Sequence, residues 1–166
     1  MEIERHREHG DGHLIFKMNA LEDPGMIRLL YEASQAGVEI DLLVRGVCSL
    51  RPGVPGVSET IRVKSILGRF LEHSRIFYFH NGGDEIVYLG SADLMPRNLN
   101  RRVEILFPVE DRMLVRRVRD KILAKYLEDE AGSRLMQPDG SFTHRKRQPG
   151  KRVLNSQTWF LKRHEA

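Results

Sequence analysis

Side chains that can bind phosphate are concentrated between residues 90 and 108, in the stretch GSADLMPRNLNRRVEILFP. A Gly-Ser pair ends one strand-like run at 85–89, and a loop rich in Asn and Arg leads to a second strand-like run at 103–107. Small residues allow the backbone to approach a ligand closely, and guanidinium forks match the oxygen atoms of a phosphate. We therefore predict a phosphate-binding loop between two strands, with Ser91, Arg97 and Asn98 as its candidate ligands and Arg101 and Arg102 as further donors.

Two further residues could bind an anion, although they lie far from this loop in the sequence. Arg45 follows a predicted central strand, and ligands of open α/β sheets bind beyond the C-terminal ends of strands. His73 ends a predicted short helix, residues 66–73, whose dipole would favour an imidazolium that donates to a phosphate or protonates a leaving oxygen. Two structural alternatives stay open. In the first, His73 only caps its helix and packs against Arg75; in the second, Arg45 only forms a salt bridge with Asp41, Glu59 or Asp93.

Several well-known catalytic signatures are absent from the sequence. There is no Gly-x4-Gly-Lys-Ser/Thr loop, which excludes a P-loop kinase, and no Gly-x-Ser-x-Gly elbow of the α/β-hydrolases. There is also no acidic cluster that would bind magnesium unaided, so we predict no metal ligand in this chain.

The formal net charge of +4 is unevenly distributed along the chain. Residues 141–166 contain seven Lys/Arg and one Glu, whereas residues 1–140 contain twenty Lys/Arg and twenty-two Asp/Glu. Residues 45–102 nevertheless hold nine Lys/Arg against five acids. A local cationic site on a nearly neutral body fits a small or polymeric anion better than duplex DNA. The basic tail leaves an alternative open, a polyanion- or nucleic-acid-binding module in which Trp159 stacks on a base.

The composition is that of one globular domain that does not cross a membrane. Of 166 residues, 40% are hydrophobic and 30% are charged. No apolar run approaches the roughly 20 residues of a membrane helix, and the charged N-terminus lacks the apolar core of a secretory signal. A single cysteine, Cys48, excludes an internal disulfide, so we expect a cytoplasmic protein.

The apolar periodicity predicts the elements that must position these side chains. Residues 13–18 and 38–44 are strand-like, and the helix between them starts at an Asp-Pro pair and ends at Gly37. Such a strand–helix–strand unit predicts two parallel strands. The sequence NGGD at 81–84 predicts a hairpin turn between two later strands.

Farther along the chain, a long helix is predicted over residues 110–128 and a short terminal helix over residues 155–161. Between them the periodicity fades. We therefore divide the chain into a lead-in of residues 1–13, a domain of residues 14–128 and a C-terminal extension of residues 129–166.

Five motifs, in matching order, resemble the C-terminal domain of bacterial polyphosphate kinases. They are LVRGVC at 43–48, SETIRV at 58–63, RFLEHSR at 69–75, NGGD at 81–84 and the stretch 90–108. The resemblance implies a phospholipase-D-like α/β fold, a mixed sheet flanked by helices. The basic C-terminal tail, predicted from its residues alone to be helical or irregular, lies largely outside the resemblance. The Gly-Ser-Ala at 90–92 is similar to the Gly-Ser-x-Asn of that superfamily.

The same superfamily carries a His-x-Lys motif, and this sequence lacks it where it is expected, near Ile76 and Tyr78. A stand-alone phospholipase-D-like phosphodiesterase therefore remains only an alternative.

The resemblance also implies a reaction, the reversible transfer of the ATP γ-phosphoryl group to inorganic polyphosphate. The phosphohistidine intermediate of that reaction lies on a preceding domain, outside this sequence. Arg45 matches the ATP-contacting arginine of the family's Val-Arg-Gly motif, and His73 matches the second essential histidine in its Leu-Glu-His motif. His73 is thus the implied catalytic residue, and both residues join Ser91, Arg97 and Asn98 as the implied ATP- and phosphate-binding set.

Ligands and partners follow from the resemblance as well. We expect ATP or ADP, inorganic polyphosphate, and Mg²⁺ with its protein ligands outside this chain. The upstream domains of the same enzyme and a homo-oligomer are expected partners, and no specific nucleic acid is expected. On this view the isolated chain binds phosphate-rich ligands weakly and is inactive.

Overall fold

An eight-stranded mixed sheet organises the chain in the computed structural model, which describes residues 1–144 and 153–164. The strands are β1 His13–Met18, β2 Glu39–Val44, β3 Ile61–Ile66, β4 Arg75–Phe79, β5 Ile86–Gly90, β6 Leu106–Pro108, β7 Ser133–Met136 and β8 Phe142–Thr143. The α-helices are α1 Glu2–His9, α2 Pro24–Gln35, α3 Pro96–Arg101, α4 Arg112–Arg117, α5 Ala124–Glu128 and α6 Ser156–His164. Across the sheet the order is β6-β5-β4-β1-β2-β3-β7-β8. The predicted mixed α/β sheet flanked by helices is confirmed.

The predicted strand–helix–strand unit is present as β1, α2 and β2. The Asp23 carboxylate caps α2 by accepting a hydrogen bond of 2.9 Å from the Met26 amide, and Gly37 follows the helix with a φ of +97°. β1 and β2 are parallel, and so are β2 and β3, whereas the other neighbouring strand pairs are antiparallel. Because Met18 pairs with Val44, the chain leaves both strands at the same edge of the sheet.

Helices cover both faces of the central strands, which are therefore apolar on both sides. On one face, Phe16 and Leu42 pack with Leu30 of α2. On the other, Ile15 and Leu43 pack against a layer formed by α4, α5 and the π-helical residues Val118–Leu123 that join them. The central strands thus form a rigid base for the loops at their ends.

Other predicted elements agree with the structure in kind and differ in extent. The hairpin turn joins β4 to β5 through a short 3-10 turn at Asn81–Gly83, and the long predicted helix is the continuous α4–π–α5 segment. The strand predicted at 103–107 is only three residues long, at Leu106–Pro108. None of the helices in the described ranges is long and apolar enough to cross a membrane.

The helix predicted over residues 66–73 is wrong. Ile66 ends β3 and pairs with Ser133 of β7, and the residues that follow have no regular structure. Leu71, which the apolar face of such a helix would bury, is 66% exposed. Distant groups replace the helical hydrogen bonds here: the Leu67 amide donates to the Gly132 carbonyl and the Phe70 amide donates to the Gln157 side chain. Tertiary contacts have overridden local helix propensity.

The residues after α5 are more regular than the sequence indicates. β7 pairs with β3, and β8 pairs with β7, so both strands continue the same sheet. The predicted terminal helix is present as α6. The basic residues at 145–147 and 151–152 of the predicted tail lie outside the described residues.

Candidate functional site

Strand direction explains why residues distant in sequence meet at one edge of the sheet. Asn19 follows β1 and Arg45 follows β2, at the C-terminal ends of two parallel strands. β4 runs in the opposite direction, so its first residue, Arg75, and the preceding His73 lie at this edge too. β5 is antiparallel to β4 and brings Ser91 back to the same place.

A cleft of about 620 Å³ opens at this edge. All five predicted site residues line it, namely Arg45, His73, Ser91, Arg97 and Asn98. Arg102, predicted as a further donor of the loop, lines the cleft as well. The sequence did not assign to the site the remaining charged or amide-bearing residues of the lining, which are Asn19, Arg75, Asp93 and Glu104. The cleft therefore contains four arginines and a histidine against two carboxylates, an excess of positive charge suited to a phosphate ligand.

Arg45 is half-buried, and its guanidinium is held by a hydrogen bond at Nε. Its Nε donates to the Asn19 Oδ1 at 2.9 Å. Within the described residues Arg45 has no ion pair with a carboxylate, so the alternative of a salt bridge to Asp41 does not occur; Asp41 instead pairs with Arg62 and His13. One edge of the Arg45 fork is oriented by Asn19, and both terminal Nη groups are available to a ligand.

Arg75 and Asp93 form a salt bridge beneath the cleft. The Arg75 Nε and Nη2 donate to the two Asp93 carboxylate oxygens at 3.1 and 2.9 Å, and the Asn19 amide donates to Oδ1 at 2.7 Å. Burial acts to raise the pKa of Asp93, but these hydrogen bonds and the Arg75 charge outweigh it, so the pKa lies below its usual value. Arg75 is thus neutralised and serves to hold its neighbours.

One of those neighbours is His73. The Arg75 Nη1 donates to the His73 carbonyl at 2.6 Å and lies 2.8 Å from the imidazole Nδ1. Since a guanidinium can only donate, Nδ1 accepts this bond and carries no proton in this arrangement. No helix ends at His73, so the dipole argument for an imidazolium does not apply. The expected packing of His73 against Arg75 is present. With Nδ1 as the acceptor, the ring N–H is on Nε2, which lies 3.3 Å from the same Arg75 Nη1.

The Gly-Ser loop has a carboxylate partner that the sequence did not indicate. The Ser91 hydroxyl donates to one oxygen of Glu104, and the Asn98 Nδ2 donates to the other at 2.5 Å. These two hydrogen bonds lower the pKa of Glu104. Ser91 and Asn98 lie in the cleft with the hydroxyl and one amide N–H already bound to Glu104, and their phosphate contacts remain a prediction.

Gly90 also has a different role from the one its place in the loop suggests. A Cβ at this position would lie 2.6 Å from the Ile105 carbonyl oxygen. The missing side chain therefore allows β5 to approach the segment before β6, and the close contact is with the protein's own backbone.

The described residues do not provide a Mg²⁺ site. They contain no group of three or more His, Cys, Asp or Glu side chains placed to hold a metal ion. The two carboxylates of the cleft are bound to Arg75 and Asn19 in one case and to Ser91 and Asn98 in the other. This set does not fit a hard cation, which takes mostly free oxygen ligands.

The Asp93 pair gives a prediction about stability. Replacing Asp93 with Asn removes the charge opposite Arg75 and leaves that buried guanidinium poorly paired, which is expected to lower the free energy of unfolding by about 1–3 kcal/mol. Urea unfolding monitored by circular dichroism measures the change. Asp84→Asn is the matched control, because Asp84 pairs with Arg112 on the surface with both side chains more than 60% exposed, and its loss is expected to cost about 0.5 kcal/mol or less. Equal effects of the two substitutions would contradict the structural role of Asp93.

Comparison with known proteins assigns the chain to a family. The family model described as "Polyphosphate kinase C-terminal domain 2" matches residues 1–157. The chain belongs to this polyphosphate kinase family. It is 56% identical over 160 residues to the polyphosphate kinase of Burkholderia vietnamiensis, a match that covers 96% of this chain and 23% of that protein. It is 55% identical over 162 residues to polyphosphate kinase 1 of Chlorobaculum tepidum, covering 98% of this chain and 23% of that protein. The chain therefore spans less than a quarter of the length of these polyphosphate kinases.

Solved structures support the fold. The crystal structure of polyphosphate kinase from Porphyromonas gingivalis superposes with a TM-score of 0.88 at 41% identity, over 99% of this polyphosphate kinase family chain and 26% of that one. Nuc from Salmonella typhimurium, a phospholipase D family member, superposes with a TM-score of 0.56 at 11% identity, over 82% of this chain and 88% of that one. NucT from Helicobacter pylori superposes with a TM-score of 0.54 at 13% identity, over 76% of this chain and 85% of that one. The predicted phospholipase-D-like fold is confirmed.

Where the superfamily's His-x-Lys motif was expected, β4 carries Ile76 and Tyr78. Both side chains are buried in the apolar core beneath the α4–π–α5 segment, at 4% and 2% exposure. These positions therefore contribute to packing and offer no nucleophile at the cleft.

Proposed function

We propose that this chain forms the ATP- and phosphate-binding part of the catalytic site of a polyphosphate kinase. The complete enzyme transfers the γ-phosphoryl group of ATP reversibly to inorganic polyphosphate, through a phosphohistidine supplied by a domain upstream of this chain. The observation that carries the proposal is that Arg45 and His73, distant in sequence, line one cationic cleft. Family membership supports the same assignment.

Arg45 acts on the charge of the phosphates. In phosphoryl transfer the protein mainly positions the reactants and neutralises charge on the equatorial and leaving oxygens. With its Nε held by Asn19, the Arg45 fork presents its Nη groups to two phosphate oxygens. Arg97 and Arg102 are exposed on the rim of the cleft and add positive charge that attracts the triphosphate.

His73 acts as a hydrogen-bond donor. When the bond from the γ-phosphorus to the β–γ bridging oxygen breaks, that oxygen keeps the electron pair and leaves with ADP. The Nε2–H of the neutral His73 ring donates to this oxygen or to an equatorial oxygen of the transferring group, while Arg75 holds Nδ1. No proton transfer from His73 is required.

Ser91 and Asn98 bind phosphate only when Glu104 releases them. Their hydroxyl and amide donors both point to the Glu104 carboxylate, whose negative charge repels phosphate oxygens. Rotation of this one side chain away from the loop frees both donors. In this proposal the Gly-Ser loop is a secondary contact, and Arg45 and His73 are the primary ones.

The remaining ligands and partners follow from the same proposal. Mg²⁺ would accompany the nucleotide, and its protein ligands would lie outside this chain. The partners of the chain are the upstream domains and further copies of the enzyme. We propose a cytoplasmic location as well, because the reaction requires ATP and the single cysteine of the chain forms no internal disulfide.

The alternative in which the basic tail binds the anion is tested by neutralising the tail. Deleting residues 141–166 is unsuitable, because it also removes α6, which contacts the segment carrying His73. In the full-length enzyme, replacing Arg145, Lys146, Arg147, Lys151 and Arg152 with Gln is expected to leave ATP affinity, measured by calorimetry, essentially unchanged. Arg45→Gln in the same assay is expected to weaken it. Loss of ATP binding in the neutralised variant alone would favour the tail.

A further inference from the structure

The segment that carries His73 is held by side chains from distant elements. Residues 67–74 have no regular structure, and the one backbone hydrogen bond formed between two residues of this segment runs from the His73 amide to the Leu71 carbonyl. The residues on either side of His73 are held by Lys17 of β1, which is 2% exposed. Its Nζ donates to the Ser74 hydroxyl at 2.9 Å and lies 3.3 Å from the Glu72 Oε2. The placement of His73 therefore depends on its two neighbours.

The other oxygen of Glu72 is bound by Gln157, from the first turn of α6. The Gln157 Nε2 donates to the Glu72 Oε1 at 2.8 Å and to the Phe70 carbonyl at 2.9 Å, and its Oε1 accepts from the Phe70 amide at 3.0 Å. Gln157 is 7% exposed. The nitrogen and the oxygen of the Gln157 side-chain amide thus both bind the segment before His73, at the Phe70 backbone and at the Glu72 carboxylate.

The fit between Gln157 and this segment is close. A Cβ at Gly68 would lie 2.4 Å from the Gln157 Oε1, so only glycine allows the amide to reach the Phe70 backbone. A shorter or differently shaped side chain at 157 would leave the Phe70 amide and carbonyl without these partners.

α6 is itself anchored, so Gln157 has a fixed position. Asp129 is 1% exposed, and its Oδ2 accepts from the Ser156 amide and hydroxyl at 2.7 and 2.6 Å. Its Oδ1 accepts from the Gly132 amide at 2.7 Å, which ties the start of α6 to the turn before β7. Phe160, on the next turn of α6, packs against Tyr126 of α5 with ring centroids 5.1 Å apart.

We propose that Gln157 is a positioning residue for His73, acting through Glu72 and Phe70. This inference rests on the proposed function, because it concerns how the same reaction is organised. Lys17 and Gln157 bind the two oxygens of a buried carboxylate that directly precedes His73, and the Tyr126 hydroxyl also interacts with this carboxylate. Loss of the Gln157 amide removes the partner of Glu72 Oε1 and both partners of the Phe70 backbone. The segment relaxes to recover a partner, and His73 moves with it. The C-terminal helix thereby becomes part of the catalytic apparatus without contacting the ligand.

Gln157→Glu in the full-length enzyme tests this inference. The side chain keeps its shape, but an oxygen replaces the Nε2 donor opposite the Glu72 carboxylate and the Phe70 carbonyl. We expect kcat for polyphosphate synthesis to fall by about 10²-fold, the cost of displacing a catalytic group by about 1 Å. We expect KM for ATP to change little, because Arg45 keeps its place. Gln157→Met, uncharged and of similar length, is expected to lower kcat in the same sense and serves if the Glu variant folds poorly.

Thr158→Ala is the matched control, since this neighbouring side chain on α6 is exposed. We expect wild-type kcat and a wild-type melting temperature for this variant. Wild-type kcat in both Gln157 variants would overturn the inference. The inference would also be overturned if Thr158→Ala lost as much kcat and melting temperature as the Gln157 variants.

A double-mutant cycle separates this inference from the proposed function. On a His73→Ala background, Gln157→Met is expected to lower the residual rate by less than about twofold, because the group it positions is gone. Losses that multiply would show that Gln157 acts independently of His73 and would overturn the inference. Failure of the proposed function has a different signature, a wild-type rate in His73→Ala alone.

Discussion

Replacing His73 with Ala in the full-length enzyme is expected to lower kcat for polyphosphate synthesis by about 10²–10³-fold, the range found when one preorganised donor to a developing negative charge is removed. The imidazole is held by Arg75, which Asp93 neutralises, so its position is set before any ligand binds. A donor oriented in advance needs no reorganisation during the reaction and is worth more than a mobile one. Initial rates of ADP release and polyphosphate formation measure the loss.

His80→Ala is the control for that experiment. His80 lies at the opposite end of β4, where its Nε2 is 3.1 Å from the Asp11 carboxylate, and it does not line the cleft. We expect its replacement to leave kcat and KM for ATP close to wild type. Circular dichroism and melting temperature should show both variants folded, since His73 is exposed and contributes little packing. A rate for His73→Ala near that of His80→Ala would remove His73 from the mechanism.

Replacing Arg45 with Gln is expected to lower kcat/KM for ATP by about 10²-fold or more, because a charge-assisted fork to phosphate oxygens is lost. Unlike the His73 variant, this one is expected to raise KM for ATP as well as lower kcat, since Arg45 binds the triphosphate both before and during transfer. For Arg45→Lys we expect a kcat/KM for ATP between those of the wild type and Arg45→Gln, because lysine keeps the charge and loses the bidentate geometry. Steady-state kinetics over a range of ATP concentrations separates the three cases.

Arg28→Gln provides the matched control for charge. Arg28 is an exposed residue of α2 and does not line the cleft, but its loss changes the net charge by the same amount. We expect ATP kinetics close to wild type. If Arg28→Gln weakened ATP binding as much as Arg45→Gln does, the effect would be one of overall charge, and Arg45 would have no specific role.

The sequence predicted the parts of this fold that local signals encode. The Asp23-Pro24 start and the Gly37 stop bound α2 because capping and a positive φ are properties of single positions. Placement of Arg45 in the cleft followed from a topological rule about strand ends. The five motifs shared with polyphosphate kinases, including the one that contains His73, indicated the family, which the match over residues 1–157 confirms.

Interactions between distant residues could not be predicted in the same way. The helix predicted at 66–73 failed because Gln157 and Gly132, far along the chain, provide its backbone partners. Asp93 could be named only as one of several possible partners of Arg45, and it pairs instead with Arg75. Lys17 offered a signal that was not used: a lysine within an apolar strand that is buried on both faces requires a buried anionic partner, here Glu72.

The position of a bound triphosphate tests the central claim most directly. In a crystal structure of the full-length enzyme with a non-hydrolysable ATP analogue, we predict phosphate oxygens at about 2.7–3.2 Å from the Arg45 Nη groups and from a ring nitrogen of His73. A triphosphate bound elsewhere, with Arg45 and His73 both making no contact to it, would contradict the account.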